Sequence, residues 1–299
     1  MEHAGLNRIQ EALQKRGYIS DAGIAMSIFL AMELRKPLLV EGPPGVGKTE
    51  IAKVMTQILD TEMIRLQCYE GLDMSHAIYE WNYQLQLLYL KLQEKGDISL
   101  EEKENQLFSD KFLIKRPLLQ AITREQPPVL LIDEIDRADE AFESYFLELL
   151  SDWQITIPET GTIRATQIPF VVITSNRIRE LSEALRRRCL YLWIDYPDFV
   201  RELQIVKTKI PTIDSQLAVQ ITHFMQEVRQ LRLEKTPGVA ETLDWAAALA
   251  ALHFDHLDEE IVSATLGIII KDWQDIRKTQ LSLSELLERV GAKTKLEEL

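Results

Sequence analysis

The sequence predicts an α/β protein in which a parallel sheet lies between helices, followed by a smaller, all-helical domain. Three observations carry this expectation. Short apolar runs rich in β-branched residues recur at Pro37-Leu38-Leu39-Val40, Pro128-Val129-Leu130-Leu131-Ile132 and Phe170-Val171-Val172-Ile173-Thr174. Their continuous rather than alternating hydrophobicity marks strands covered on both faces. Segments with helical spacing separate them, as crossover-connected parallel strands require. Beyond Tyr196-Pro197 the strand signal ends and only helical periodicity continues.

Taken in order, residues 6–35 carry helical spacing and lead into the first strand. A glycine-containing segment follows, then a helix over 50–59. The polar, acidic run 97–110 reads as a solvated helix or loop ahead of the second strand. In the last third, Ala218, Ile221, Phe224, Met225 and Val228 share a helical face, and the alanine-rich stretch Trp245 to Phe254 repeats the pattern, with breaks at Pro211 and Pro237-Gly238. Domains are therefore expected at 1–196 and 197–299. No internal repeat or low-complexity tract occurs, which argues against solenoids and propellers.

Charge and cysteine usage narrow the function classes. Lys plus Arg number 34 against 47 Asp plus Glu, a net charge of −13 over 299 residues, which disfavours broad attraction to nucleic acid or an anionic membrane. Cys68 and Cys189 form no CxxC pair, so a zinc ribbon, an iron–sulfur cluster and a disulfide scaffold are disfavoured and two reduced thiols are expected. No apolar run approaches the ~18 residues that span a bilayer, and Met1-Glu2-His3-Ala4 lacks a basic n-region, so the expected location is the cytoplasm. The pair His253 and His256, with Asp258 nearby, has helical spacing that could ligate a metal. Ligands of mixed orientation on one polar helix are seldom a site.

The sharpest chemical signal is Gly42-Pro43-Pro44-Gly45-Val46-Gly47-Lys48-Thr49, a full G-x-x-x-x-G-K-T directly after a strand and before a helix. Glycines let successive backbone N–H groups turn toward phosphate oxygens, and the helix N-terminus adds partial positive charge. Lys48 would reach the outer phosphates and the Thr49 hydroxyl would ligate Mg²⁺, with Glu50 in the helix's first turn completing the expected nucleotide contacts. The second signal is Leu130-Leu131-Ile132-Asp133-Glu134, an apolar strand ending in two carboxylates. Asp133 suits Mg²⁺, and Glu134 suits the water that attacks the terminal phosphate. The later acids Asp136, Asp139, Glu140, Glu143 and Glu148 read as the solvated face of a helix. The third signal is Thr174-Ser175-Asn176, where Asn176 can contact the γ-phosphate or the water, although an Asn after a strand is also a common turn residue. Arg186-Arg187-Arg188 is the densest basic cluster. It admits three readings: a solvated helix end, a nucleic-acid patch, or an arginine finger for a neighbouring subunit.

Together with the helical region that follows, this ordered set, including Leu181-Ser182-Glu183-Ala184-Leu185-Arg186-Arg187-Arg188, resembles the AAA+ ATPases. It resembles the MoxR family more narrowly, and within it the CoxD-like branch. The narrower likeness rests on Tyr79-Glu80-Trp81-Asn82-Tyr83, on Trp153-Gln154-Ile155-Thr156-Ile157-Pro158-Glu159 and Ile163-Arg164-Ala165, and on Pro237-Gly238-Val239-Ala240-Glu241-Thr242-Leu243-Asp244-Trp245. The resemblance implies a P-loop core with a helical lid, Lys48 and Thr49 as Walker A, Asp133 and Glu134 as Walker B, and Asn176 as sensor 1. It implies Arg188, with Arg187 second, as a finger acting in trans within a ring, usually a hexamer. Tyr18 and Ile19 resemble the positions that contact adenine.

Two departures stand out. Where many MoxR-type proteins carry a sensor 2 arginine in Ser-Pro-Arg, this chain has Thr236-Pro237-Gly238, with Lys235 and Arg232 as candidate substitutes. Residues of about 64–92 match the position of the helix-2 insert, and Trp81, Tyr83 and Tyr89 either line a pore or pack onto the core. The resemblance implies an ATP- and Mg²⁺-dependent motor acting on a protein client. It also implies a von Willebrand factor A domain partner and a client metalloenzyme needing cofactor insertion or activation. A nucleic-acid motor is the rival from another class, and a nucleotide-binding regulator with little hydrolysis a further one. A guanine-nucleotide switch is disfavoured, since no Asn-Lys-x-Asp string occurs.

Overall fold

The computed structural model describes residues 2–92 and 100–291. Its elements run α1 (Glu2–Lys15), α2 (Ala22–Leu34), β1 (Leu38–Glu41), α3 (Lys48–Leu59), β2 (Met63–Gln67), α4 (Met74–Ala77), β3 (Tyr79–Trp81), α5 (Tyr83–Leu92), α6 (Leu100–Leu107), β4 (Leu113–Lys115), α7 (Pro117–Thr123) and β5 (Val129–Asp133). A 3-10 turn (Ile135–Arg137) leads to α8 (Glu140–Asp152), β6 (Gln154–Ile157), β7 (Gly161–Arg164), β8 (Phe170–Ser175), α9 (Glu183–Arg188) and β9 (Leu190–Trp193). The described chain ends in helices α10 (Phe199–Lys209), α11 (Ser215–Gln230), α12 (Val239–Ala251), α13 (Glu259–Ile269), α14 (Trp273–Leu281) and α15 (Leu283–Arg289).

Five strands form one parallel sheet in the order β2-β5-β8-β1-β9. Every residue of β1 and β5 is buried, as strands covered on both faces must be. Leu39, Leu130, Ile132 and Ile173 share a core with Leu118 and Ile122 of α7, Phe146 and Leu150 of α8, and Leu185 of α9. The parallel register brings carboxyl ends into line, with Glu41 beside Ser175 and Trp193, and Gln67 beside Asp133. Ligands of open parallel sheets bind outside that edge.

The three expected strands are β1, β5 and β8, and the two sheet strands not anticipated are β2 and β9. In β2 only Ile64 and Leu66 are buried, with Arg65 and Gln67 interrupting the apolar run. Edge strand β9 leaves Tyr191 and Trp193 exposed. The stretch expected as an insert from 64 therefore begins inside the sheet, since Ile64 to Gln67 pair with Leu130 to Asp133. Trp81 is 4% exposed and meets Phe108 edge-on at 5.2 Å, and Tyr89 meets Phe112 at 5.3 Å. Both rings pack, whereas Tyr83 is 62% exposed. Of the acidic run, 97–99 lie outside the described residues and α6 follows.

Among the described residues the chain divides into two compact units: 2–9, 22–41 and 49–193 in one, and 10–21, 42–48 and 194–291 in the other. The second unit is helical and buries Leu217, Ile221, Phe224, Met225, Trp245 and Leu266 together. Aspartates start four of its helices, with Asp198, Asp214, Asp258 and Asp272 each accepting N–H bonds from the first turn. Asp258, weighed above beside two histidines, is thus the cap of α13. Inside this unit Arg229 forks onto Glu202 at 2.5 and 2.6 Å, and the Thr242 hydroxyl donates to Glu202 at 2.7 Å.

Candidate active site

The chain leaves β1 at Glu41, passes through the glycine segment 42–47 and enters α3 at Lys48. Lys48 Nζ donates to the carbonyls of Gly42 at 2.8 Å and Pro43 at 2.7 Å, so the loop curls around its own ammonium. Gly47 holds φ +90°, and no atom lies within 4 Å of where a Cβ would stand. A left-handed turn with an open inner side, ahead of first-turn N–H groups that have no intrahelical acceptor, is a cradle that fits a phosphate. Lys48 is buried, Thr49 and Glu50 are half-buried, and the Glu50 carboxylate faces Lys53 at 3.4 Å.

The sequence departure at Thr236-Pro237-Gly238 has a geometric reason within the helical unit. Gly238 is the N-cap of α12 and lies against the glycine loop: a Cβ on it would stand 2.8 Å from Gly45 Cα and from the Pro44 carbonyl oxygen. Ala240 N donates to Gly45 O at 3.1 Å, and Glu241 accepts from Gly238 N at 2.8 Å. An arginine cannot replace this glycine without moving one backbone off the other. Lys235 is fixed through its own N–H to Asp275, and Arg232 lends its carbonyl to Lys278. Tyr18 is buried, and the Ile19 carbonyl accepts from Arg201, which also pairs with Asp21 at 2.8 Å.

In the sheet unit, β5 ends with both acids in a closed hydrogen-bonded ring. Asp133 is 4% exposed; its Oδ1 accepts from Thr174 Oγ1 at 2.6 Å and its Oδ2 takes the Arg65 guanidinium at 2.5 and 3.1 Å. Arg65 also donates to Gln67 Oε1 at 2.6 Å, and Gln67 Nε2 donates to Glu134 Oε2 at 3.0 Å. Glu134 closes the ring through its N–H to Thr174 Oγ1 at 2.9 Å. Its side chain further accepts from Asn176 Nδ2 at 3.2 Å and faces Arg137 at 3.0 Å. The structure therefore brings Asp133, Glu134 and Asn176 together. Glu134 has φ +55°, a left-handed setting for a non-glycine residue. As hard oxygen donors, the Asp133 carboxylate and the Thr49 hydroxyl suit Mg²⁺. A carboxylate held by the Asn176 and Gln67 amides and paired with Arg137 suits the orientation of water.

Two of the acids expected on a solvated helix face are instead buried. Asp136 is 2% exposed in the 3-10 turn and accepts from Asn176 N at 3.0 Å and Ile178 N at 2.9 Å. Glu143 is 1% exposed, pairs with Arg179 and accepts from Ser182 N at 3.0 Å. Both tie the loop after β8 to the segment after β5, and burying them is tolerated because each has partners. Asp139, Glu140 and Glu148 do lie on the surface. Sequence reasoning gave no role to Arg65, Gln67, Thr174 or Arg179, and it read Arg137, which pairs with Glu134, as part of the solvated helix face. For Arg65 and Gln67 the available signal was their alternation with Ile64 and Leu66. Both cysteines are free thiols, and burial pushes each up to about 12, at Cys68 reinforced by the charges of Asp133, Asp136 and Glu134.

In the arginine cluster, Arg187 pairs with Glu183 of its own helix at 2.5 Å and Arg186 stands over the Tyr191 ring at 5.7 Å. Arg188 folds back, Nε to Ser151 Oγ at 2.5 Å and Nη1 to Ala184 O at 2.9 Å.

Residues 38–193 match AAA, the ATPase family associated with various cellular activities. The chain belongs to this family. Members bind ATP, typically with Mg²⁺, and commonly assemble into rings. Curated relatives include an uncharacterized protein of Staphylococcus aureus strain NCTC 8325, 26% identical over 221 residues, covering 71% of this chain and 75% of its own. Another from Staphylococcus haemolyticus is 26% identical over 227 residues, covering 73% and 78%. Among solved structures, the Thermotoga maritima RuvB Holliday junction branch migration motor aligns with 97% of this chain and 81% of its own at 19% identity and TM-score 0.45. A RuvB mutant from the same organism gives 18%, 97% and 83%, with TM-score 0.49. No helix among the described residues is long and apolar enough to cross a membrane.

Proposed function

We propose that this AAA protein is a MoxR-type remodelling motor that hydrolyses ATP in a ring, with its nucleotide-binding domain at 1–196 and its lid at 197–299.

 The reading in full is a ring, a hexamer in the first instance, that acts on a protein client with Mg²⁺-ATP as fuel. Lys48 and the 42–47 backbone hold the phosphates, Tyr18 and Ile19 flank the adenine, and Thr49, Glu50 and Asp133 complete the nucleotide and Mg²⁺ contacts. Glu134, steered by Asn176, orients the attacking water, and Arg188, or Arg187 beside it, reaches the neighbouring subunit's nucleotide. Mg²⁺ supplies charge neutralisation at the phosphates when bound. The strings shared with the MoxR family support a von Willebrand factor A domain partner and a metalloenzyme client awaiting cofactor insertion, acting in the cytoplasm.

One observation carries the hydrolytic part: Glu134 accepts from Asn176 Nδ2 at 3.2 Å and from Gln67 Nε2 at 3.0 Å, directly beside Asp133. The test compares phosphate release and light-scattering mass across protein concentration, with and without Mg²⁺-ATP. Glu134→Gln should retain nucleotide binding and lose turnover by about 10²-fold or more, while Lys48→Ala should lose binding. Normal turnover by Glu134→Gln would refute the water-orienting role. A wild-type chain that binds ATP without turnover would mark a regulator, the reading that Gly238 in place of an arginine favours.

A further inference from the structure

Helix α14, in the helical unit, inverts the usual arrangement of a surface helix. Its buried residues are Asp275 and Thr279, whereas Trp273 is 68% exposed and Leu281 90%. The inward polar pair has a structural reason. Asp275 accepts from Glu234 N and Lys235 N at 3.0 Å each, which ties the loop between α11 and α12 to the helix, and Thr279 Oγ1 donates to the Asp275 carbonyl at 2.9 Å. Neither Trp273 nor Leu281 gains burial from its place, although a surface helix ordinarily turns its large apolar side chains to the core. Trp273, Arg277 and Leu281 stand at i, i+4 and i+8, a single stripe about 12 Å long. The Arg277 guanidinium lies over the Trp273 ring at 5.9 Å.

Positive charge borders the stripe. Lys271, Arg277 and Lys278 are exposed on α14 or just ahead of it, and Arg232 and Lys235 are exposed on the loop bonded to it. Among the described residues none of the five pairs with a carboxylate; Lys271 and Lys278 donate to the carbonyls of Gly267 and Arg232 instead. Of the acids in these segments, Asp272 caps α14 and Asp275 is buried on N–H donors, which leaves Glu234. In a chain of net charge −13 this is a local excess of positive charge beside an apolar stripe. We propose that this face of α14 docks an acidic segment of a partner protein, with a large apolar side chain seated against Trp273 and Leu281 and carboxylates paired with Arg277, Lys271 and Lys278. Trp and Arg are the side chains that most often carry binding energy at interfaces. A guanidinium stacked on an indole meets a carboxylate in a fixed orientation. Opposite charge selects acidic over basic segments and guides encounter, at a strength that falls with salt. A nucleic-acid strand is the poorer fit, because it asks for successive aromatic platforms and the stripe offers one, followed by an aliphatic end at Leu281. The inference uses none of the residues assigned above to nucleotide, metal or water.

The test selects a displayed library of random dodecapeptides on the full-length protein, then titrates the enriched peptides by fluorescence polarisation against wild type, Trp273→Ala and Arg277→Glu. Enriched peptides should combine Asp or Glu with Phe, Leu or Trp, and each variant should weaken them roughly tenfold or more. Both side chains lie on the surface, so the melting temperature of each variant should match wild type. Exchanging a peptide's acidic residues for lysine should abolish its binding to wild type and restore part of it to Arg277→Glu, a result that misfolding cannot produce. Failure to enrich, enriched peptides without acidic residues, or equal affinity for wild type and both variants would each overturn the proposal. So would a single-stranded oligonucleotide that binds through Trp273 and Arg277 more tightly than the peptides at physiological salt, which would assign the face to nucleic acid. Loss of self-association in Trp273→Ala, read by light-scattering mass, would assign it to contact between copies of this chain and overturn the proposal as well.

Discussion

Glu134 sits in a left-handed backbone setting at φ +55°, which costs a non-glycine residue on the order of 1 kcal/mol. The strain is held by Thr174, whose hydroxyl accepts from Glu134 N at 2.9 Å and donates to Asp133 Oδ1 at 2.6 Å. Thr174 is 1% exposed, so no water can take over either bond. Thr174→Val keeps the volume and removes both. The buried N–H and the carboxylate oxygen lose their partner together, at a cost of about 1–3 kcal/mol. The expected outcome is a lower melting temperature, a reduced kcat and a nearly unchanged affinity for nucleotide in EDTA. Unaltered kcat with a normal melting temperature would show that the hydroxyl does not set the geometry of the two acids.

At the scale of elements, the start of α12 is decided by the absence of a side chain. Gly238 faces Gly45 and Pro44 backbone atoms, which cannot swing aside as the end of a flexible side chain would. Gly238→Ala should therefore destabilise the helical unit by about 1–3 kcal/mol, the usual range for overpacking, read as a lower urea midpoint. No change would mean that the loop yields freely. The same element shows what a sequence makes legible. The strands β1, β5 and β8 announced themselves because burial on both faces demands uninterrupted apolar runs, and the glycine loop because phosphate cradles need glycine at fixed spacing. Strands β2 and β9 were hidden by Arg65, Gln67, Tyr191 and Trp193, whose side chains face the site or solvent. Asp136 and Glu143 looked like surface acids because their partners, Asn176, Ile178, Arg179 and Ser182, lie some 40 residues away along the chain. Only tertiary structure joins them.

For the whole molecule, the proposed ring assigns one catalytic site to two chains, Glu134 from one and Arg188 from the next. The present geometry holds Arg188 against Ser151 and Ala184 of its own chain, so it must change partners to act in trans. Arg188→Ala and Glu134→Gln should each abolish turnover in pure rings, for opposite reasons. An Arg188→Ala subunit keeps its own Glu134 and lacks only what its neighbour supplies. Mixed with Glu134→Gln subunits, it meets an intact Arg188 wherever such a subunit lies on the correct side. Random one-to-one mixing in a cyclic ring completes about a quarter of the sites, so turnover should rise from near zero toward about a quarter of wild type. The rise should require exchange of subunits, following incubation time rather than the moment of mixing. Inactivity of every ratio, in mixtures shown by mass to have exchanged, would place the arginine's role within its own chain.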